Sequence, residues 1–456
     1  MTNTGLNPGG RRVEFYKTLL LLALPISLQE LIAFMVNFAD NLMVGRLGDL
    51  AISGVFIGNQ IHSMVQIISG GISASLVILG TQYWGKKDIG SIRKLTAMCL
   101  WAALAAGGFF SLFTVFFPRY VVSILSNKSD VIETASVYVR IVGASYVFFT
   151  LSQAIVASQR CVEKVRFGMN IALMTLGINI GLNYILIFGK MGFPALGLKG
   201  AAIATLISRI IEFTIALGFA FGIDKRIGIR IGDLANPDRF LFKSLIKYGA
   251  PVLAGNLVWA ANSFAYTTIV GRFPATIIAS FNIAGMMNTL VYIWLTGLAV
   301  AVGIMTGKLV GSGAGLDAIK PHSYRVQRFF LCMGIVTGLI VLLLRNLFIS
   351  LYAISPEAAA TARELIIVHA ITIMGTGYQM SCLAGLVKAG GNISFVFRND
   401  TIFVFLVVIP SSIIAMALGA PAWVVFSCLK CDQVLKCIVA VVVINRFKWV
   451  KNLTLG

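Results

Sequence analysis

Two carboxylates, Glu30 and Asp40, lie inside the first long hydrophobic segment of the chain. Asp40 falls within residues 19–48, LLLLALPISLQELIAFMVNFADNLMVGRLG, a stretch long enough to cross a bilayer. A carboxylate at membrane depth costs roughly 3 kcal/mol on insertion scales, so such residues face a cavity or a partner. Burial disfavours the charged form of a carboxyl group. We therefore expect Asp40 to bind and release a proton or another cation.

Two amides and a hydroxyl form the second polar feature. Asn179 and Asn183 are four residues apart in GINIGLNYILIFG, residues 177–189, so both project from one helical face. Buried amides without partners are costly, and these two must either line a polar cavity or hydrogen-bond to a neighbouring helix. The residues leave both alternatives open. Thr205, in GAAIATLIS at residues 200–208, is a further polar candidate.

Other polar side chains interrupt the hydrophobic segments. We expect five of them to line a substrate cavity: Asn37, Asn256, Asn262, Tyr266 and Gln379. Arg140, near the outer end of its segment together with Tyr138, needs a carboxylate or carbonyl partner, and Asp40 is one candidate.

The remaining ionisable residues favour structural roles. Asp432 precedes Lys436 by four positions, the favourable order for a helical ion pair, and Asp400 lies near Lys388 and Arg398. The sequence leaves the functions of Glu30 and His62 open. The Cys428-x-x-Cys431 spacing occurs in metal and redox sites, but inside a hydrophobic helix we interpret it as packing, and we expect neither a metal nor a cofactor.

The composition is that of a polytopic membrane protein. Hydrophobic residues make up 58% of the chain and charged residues 12%, against about a quarter charged in soluble proteins. The patterning predicts an all-α protein with twelve transmembrane helices. They are placed near residues 17–43, 51–81, 95–117, 133–158, 167–189, 198–221, 246–270, 276–306, 327–349, 362–386, 396–417 and 421–445.

The chain is an internal duplication. When the sequence is laid over itself without a gap so that Pro25 falls on Pro251, the run 44–46 (VGR) falls on 270–272 (VGR). The same alignment places Asp40 on Tyr266, so only the first half has the acid. We predict two six-helix lobes at residues 1–222 and 246–456, joined by a hydrophilic bridge at 223–245.

Basic residues predict the orientation. Only eight fall in loops on the predicted outer side: Arg46, Arg119, Lys128, Lys190, Lys199, Arg272, Arg345 and Arg363. Most of the others lie in the tails and in the loops of the opposite side, which predicts a cell (inner) membrane protein with both termini in the cytoplasm. The net charge of +20 then reflects topology and contact with anionic lipid headgroups. Nucleic-acid binding needs a contiguous basic soluble face, and we find none in the sequence.

Three stretches resemble the MATE family of multidrug and toxic compound extrusion transporters: FADNLMVGRLG, NIGLNYILIFGKMGFPALGLKGAAIAT and AGLVKAGGN. The resemblance implies two six-helix lobes, alternating access, and export of cationic amphipathic compounds in exchange for protons or sodium. It also implies ion coupling by residues that look like Asp40, Tyr138, Asn179, Asn183 and Thr205. We further expect a monomer.

Two departures from the family pattern favour protons over sodium. Archaeal members of the branch with the first-span acid have a second Asp where this chain has Asn183, and other members have an acid in the seventh span, where this chain has none. A cation site with fewer carboxylates is weaker and less selective for sodium.

Two other functions stay open. A flippase for lipid-linked precursors needs several cationic residues facing its cavity, for which Arg140 and Lys430 are candidates. An intramembrane enzyme needs clustered acids, histidines or an activated serine.

Overall fold

The computed structural model describes residues 8–235, 238–352 and 354–455, and they are mostly helical. The helices are α1 Pro8–Gly45, α2 Asp49–Gly85, α3 Ile89–Phe116, α4 Pro118–Ser123, α5 Ser129–Gly143, α6 Tyr146–Cys161, α7 Val165–Phe188, α8 Leu198–Gly218, α9 Ile231–Ala235, α10 Arg239–Val270, α11 Ala275–Gly311, α12 Leu316–Ser350, α13 Pro356–Met380, α14 Ile393–Ile402, α15 Ile409–Ala417, α16 Ala422–Lys430 and α17 Asp432–Asn445. Three π-helical segments continue α8, α13 and α14, at Phe219–Ile223, Ser381–Val387 and Phe403–Val408.

The described helices reproduce the predicted spans. Nine are long and apolar enough to cross a membrane, and α5 with α6, bent by 44° at a short break, makes a tenth candidate. The other two predicted spans correspond to α10 and to α16 followed by α17. Most helices run several residues past the predicted ends, because apolarity marks only the part of a helix in lipid.

The chain divides into two compact units, which we call the N-terminal unit, Leu28–Leu253, and the C-terminal unit, the described residues of Met1–Ser27 and Ala254–Gly456. Helices α1 and α10 each contribute residues to both units. The two division points, after Ser27 and after Leu253, fall on each other in the internal repeat and come just after Pro25 and Pro251. The lobe boundaries predicted from the repeat, 1–222, 223–245 and 246–456, remain predictions about its extent.

The N-terminal unit has a core where α2, α5 and α8 meet. Val55 and Ile61 of α2 pack with Val139 of α5 and Ala202 of α8. Gly58 of α2 lies against Tyr138, and a Cβ at this glycine would come 2.5 Å from the Tyr138 ring. Gly58 therefore leaves room for the ring of Tyr138, one of the predicted site residues.

The C-terminal unit has a corresponding core around α11, α13 and α16. Phe281, Ile366 and Phe426 are among its buried members. Helix α12 packs against α13 through Gly334 and Gly338, whose added Cβ atoms would lie 2.5 and 2.6 Å from the carbonyl oxygens of Met374 and Ala370. Small residues four apart allow this close approach of two helices in lipid.

Candidate functional site

Asp40 and the two predicted amides form one hydrogen-bonded chain in the N-terminal unit. The Nδ2 amide of Asn183 donates to Oδ1 of Asp40 and also to Oδ1 of Asn179, at 3.2 Å in the second case. Asn179 and Asn183 are buried, and Asp40 is half-buried. The sequence left two alternatives for the amides. In the structure Asn183 donates to a carboxylate of a neighbouring helix, and Asn179 accepts from Asn183 within its own helix.

The local sequence explains this arrangement. The four-residue spacing places both amides on the face of α7 that approaches α1. One Asn183 amide group has two N–H bonds, so it satisfies both acceptors at once. Its own Oδ1 is buried and has no hydrogen-bond partner within the described part of the chain.

Tyr138 and Thr205 differ in their relation to the hydrogen bonds among Asp40, Asn183 and Asn179. Tyr138 is buried against Gly58 and interacts electrostatically with Asp40. Thr205 is half-buried, and its hydroxyl donates to the carbonyl of Ala201 in its own helix at 3.1 Å. The suggested pairing of Arg140 with Asp40 is wrong: Arg140 is exposed, and Asn183 is the partner of the acid.

Arg209 is a member of this neighbourhood that sequence reasoning missed. It pairs with Glu212, three residues along α8, at 2.6 Å, and its guanidinium lies 4.9 Å from the centre of the Phe149 ring. It also acts electrostatically on Asp40. His62 packs 5.0 Å from the Phe149 ring and 5.9 Å from the Tyr146 ring, centroid to centroid. The sequence signal that could have identified Arg209 was a basic residue inside the last span of the first half.

The five predicted cavity residues are distributed over both units. Asn37 is exposed on the part of α1 in the N-terminal unit, and the other four belong to the C-terminal unit. Asn256 and Asn262 are half-buried on α10. Tyr266 packs edge-on against Phe281, and Gln379 donates to Oε1 of Gln433 at 2.9 Å. Their role in substrate binding stays a prediction.

The second half repeats part of the first site without its acid. Tyr266 is the counterpart of Asp40 in the internal repeat, and the last span of each half has a basic residue, Arg209 in α8 and Lys430 in α16. The ammonium of Lys430 lies 5.7 Å from the centre of the Tyr266 ring. In each half a cation of the last span thus interacts with the aligned position of the first span: Arg209 electrostatically with Asp40, and Lys430 with the Tyr266 ring.

Asp400 and Asp432 share one lysine. The Lys436 ammonium lies 2.9 Å from Oδ1 of Asp400 and 3.1 Å from Oδ2 of Asp432. The predicted pair of Asp432 and Lys436 is therefore present. Asp400, expected beside Lys388 and Arg398, forms its ion pair with Lys436 instead, although Lys388 interacts with it electrostatically.

Two further ion pairs lie in the N-terminal unit, each with a residue at or just past the end of α6. Arg160 reaches Gln29 at 2.9 Å and Glu30 at 3.5 Å, which gives Glu30 a partner. Asp224, in the loop after α8, pairs with Lys164 at 2.6 Å and accepts from Gln159 at 2.9 Å.

The pKa of Asp224 shows that this loop holds a charge. Burial opposes ionisation of its carboxyl, but the hydrogen bonds from Lys164, Gln159 and the Arg226 amide together outweigh burial. They hold the pKa of Asp224 below its usual range.

The chain is similar in sequence to two multidrug resistance proteins and in fold to a solved transporter structure. It is 25% identical over 349 residues to the probable multidrug resistance protein NorM of Thermotoga maritima, covering 75% of this chain and 74% of that one. It is 24% identical over 384 residues to multidrug resistance protein PmpM of Pseudomonas aeruginosa, covering 81% and 78%. The fold matches the bent form of the Vibrio cholerae MATE transporter VcmN with a TM-score of 0.86 and 15% identity, over 97% of this chain and 99% of that one.

A family model describes most of the chain. The MatE model matches residues 25–185 and again residues 251–421, once in each half of the duplication. These matches cover the helices that carry Asp40, Tyr138, Asn183 and Asp400. This membrane protein of two duplicated six-helix halves belongs to the MatE family.

Proposed function

We propose that this protein is a secondary active antiporter that exports cationic amphipathic compounds in exchange for protons by alternating access. Membership of the MatE family and two relatives named as multidrug resistance proteins support export of small molecules. The observation that carries the proton part is the chain of hydrogen bonds from Asn179 through Asn183 to Asp40.

Asp40 has the surroundings of a proton carrier. Asn183 donates to one carboxylate oxygen, and within the described residues the other oxygen, Oδ2, has no hydrogen-bond partner. That oxygen is available to a proton. Because Asp40 is half-buried, its charged form loses part of its hydration, while the Asn183 amide and the nearby Arg209 charge favour that form. Opposing effects of this kind allow a carboxyl group to change its charge during a cycle.

The orientation of Asn183 favours a proton over a metal ion. Sodium, like other hard cations, binds oxygen ligands. Here the amide group that faces Asp40 is the N–H donor, and Oδ1 of Asn179 already accepts from the same amide. A metal ion that binds both Asp40 and the Asn183 side chain requires Asn183 to turn its oxygen toward the acid, whereas a proton on Oδ2 requires no such change.

Helix α1 connects the acid to the rest of the protein. Asp40 lies on the part of α1 in the N-terminal unit, while the part up to Ser27 belongs to the C-terminal unit. Pro25 removes one backbone hydrogen bond close to this division. Protonation weakens the charge-assisted hydrogen bond from Asn183. In our proposal, the freed segment of α1 then changes its angle at Pro25 and alters access to the cavity.

The test is efflux of a fluorescent organic cation from proteoliposomes with an imposed pH gradient. We expect Asp40→Asn to lose gradient-driven transport while the purified protein still binds the cation. Transport by this variant at the wild-type rate, driven by the pH gradient, contradicts the proposal. Binding of a lipid pyrophosphate in place of the organic cation supports the flippase alternative.

A further inference from the structure

The shared lysine in the C-terminal unit has the geometry of a cation bound between two acids. Asp400 comes from α14, and Asp432 and Lys436 both come from α17. Lys436 has 6% of its side chain exposed and Asp432 4%, whereas Asp400 has 34% exposed. One edge of the site is therefore open to a small ligand, and its far end is closed.

Neutral polar groups complete the closed end. Gln433 donates from Nε2 to both Asp432 oxygens, at 3.1 and 3.0 Å. Its Oε1 accepts from Gln379 at 2.9 Å and from the Thr376 hydroxyl at 3.1 Å. Asp432 is thus held in place by hydrogen bonds that do not depend on Lys436.

Three helices lose regular α-helical geometry beside this cluster. The π-helical turn after α13 begins at Ser381, two residues past Gln379, and the one after α14 begins at Phe403, three past Asp400. The break between α16 and α17 falls at Cys431, next to Asp432. Single π-turns occur often at functional sites, where they redirect side chains.

Other charged and titratable groups surround the two acids. Lys388 acts on Asp400, and Lys430 and Cys431 act on Asp432. Tyr292 of α11 interacts with both acids. Beyond Lys430 lies His369 of α13, which is 1% exposed, and neither of its ring nitrogens has a hydrogen-bond partner within the described residues. Unsatisfied buried polar groups need an explanation, and this imidazole interacts electrostatically with Lys430, which in turn interacts with Asp432.

We propose that Asp400 and Asp432 form a binding site for the ammonium group of a cationic ligand, and that Lys436 occupies it in the absence of that ligand. An alkylammonium ion has the charge and hydrogen-bond donors of the lysine terminus, so it fits between the same oxygens. The ligand enters at the exposed side of Asp400, and the Lys436 ammonium withdraws along its flexible stem. This inference deepens the proposed function, because it places a second cation site in the unit that lacks a counterpart of Asp40.

Lys436 is then an internal competitor. A tethered group acts at an effective concentration in the millimolar range or above. Its removal leaves two acids without their shared counter-ion and open to an external one. We therefore expect cation binding to strengthen when this positive charge is deleted, whereas deleting a residue that contributes only to packing weakens binding or leaves it unchanged.

The experiment measures equilibrium binding of n-butylammonium to purified full-length protein, followed as thermal stabilisation at constant ionic strength. Lys436→Met keeps the length of the side chain and removes its charge. We expect this variant to bind n-butylammonium at least about tenfold more tightly than the wild type. The double variant Lys436→Met with Asp400→Asn is expected to lose the gain. Sodium chloride and neutral n-butanol are the ligand controls.

Equal or weaker binding by a folded Lys436→Met variant overturns the proposal, as does a gain that persists in the double variant. If Lys436→Met fails to fold, Asp400→Asn alone decides, because Asp400 is partly exposed and its loss must weaken n-butylammonium binding. The assay involves no transport. A protein that binds the amine and moves no cation keeps this site and refutes the proposed export.

Discussion

The hydrogen bond from Asn183 to Asp40 allows the proton hypothesis to be tested quantitatively. In Asn183→Ala, Asp40 loses its donor and Asn179 Oδ1 loses its 3.2 Å contact. A hydrogen bond to a charged group contributes about 1.5–3 kcal/mol, and one to a neutral group about 0.5–1.5 kcal/mol. The loss therefore destabilises the charged form of Asp40 by about 1–1.5 kcal/mol more than the neutral form. At about 1.36 kcal/mol per pH unit this equals about one unit.

We therefore expect the pH dependence of transport by Asn183→Ala to move upward by about one pH unit. The assay is efflux from proteoliposomes at a series of internal and external pH values. Asn41→Ala is the matched control, because Asn41 is an exposed amide of α1, the helix that carries Asp40, and donates to the carbonyl of Asn37. Its profile should coincide with that of the wild type.

A profile of Asn183→Ala that overlies the wild type refutes the reasoning, provided that the variant folds and binds substrate. A downward shift refutes it as well, because the amide then disfavours the charged form. An equal shift in Asn41→Ala assigns the effect to general disturbance of α1.

Three further predictions concern stability and charge. Asp224→Asn should lower the free energy of unfolding by about 1–3 kcal/mol near neutral pH, because its charged hydrogen bonds are lost. Since the pKa of Asp224 is depressed in the folded protein, the stabilisation by its charge is complete above about pH 4 and disappears as the pH falls through the folded pKa. Thermal melts of wild type and variant should therefore converge in acid. Gly334→Ala should lower the free energy of unfolding by about 1–3 kcal/mol, because the added Cβ would lie 2.5 Å from the Met374 carbonyl oxygen. Val336→Ala, on an exposed face of α12, is the control in the same thermal melts. Arg209→Gln should lower the melting temperature more than the double variant Arg209→Gln with Glu212→Gln, because the single change leaves the buried Glu212 unpaired. Equal melting temperatures of the two variants would contradict this ion-pair argument.

The sequence predicted the helices and named Asp40, Asn179 and Asn183 as candidate site residues, but it did not pair the acid with an amide. Runs of apolar residues locate spans because the bilayer imposes their length. The four-residue spacing of Asn179 and Asn183 places both amides on one face, but the sequence left their partners open and suggested Arg140 as a partner for Asp40. The spacing of Asp432 and Lys436 did predict their ion pair.

The missed features depend on distant parts of the chain. Asp400 of α14 joins Lys436 of α17, and no local pattern tells Lys436 from Lys388 as its partner. Asp40 was one candidate partner of Arg140, because a cation in a span needs a carboxylate or carbonyl, but Arg140 is exposed. The effect of Arg209 on Asp40 required the packing of α8.

The central claim is that Asp40 carries the exchanged proton. Its most direct test is efflux of an organic cation from proteoliposomes, with proton and sodium gradients imposed separately on wild type and Asp40→Asn. We predict that a proton gradient alone drives wild-type efflux, that a sodium gradient alone does not, and that Asp40→Asn responds to neither. Wild-type efflux that follows only the sodium gradient, or proton-driven efflux retained by Asp40→Asn, would contradict it.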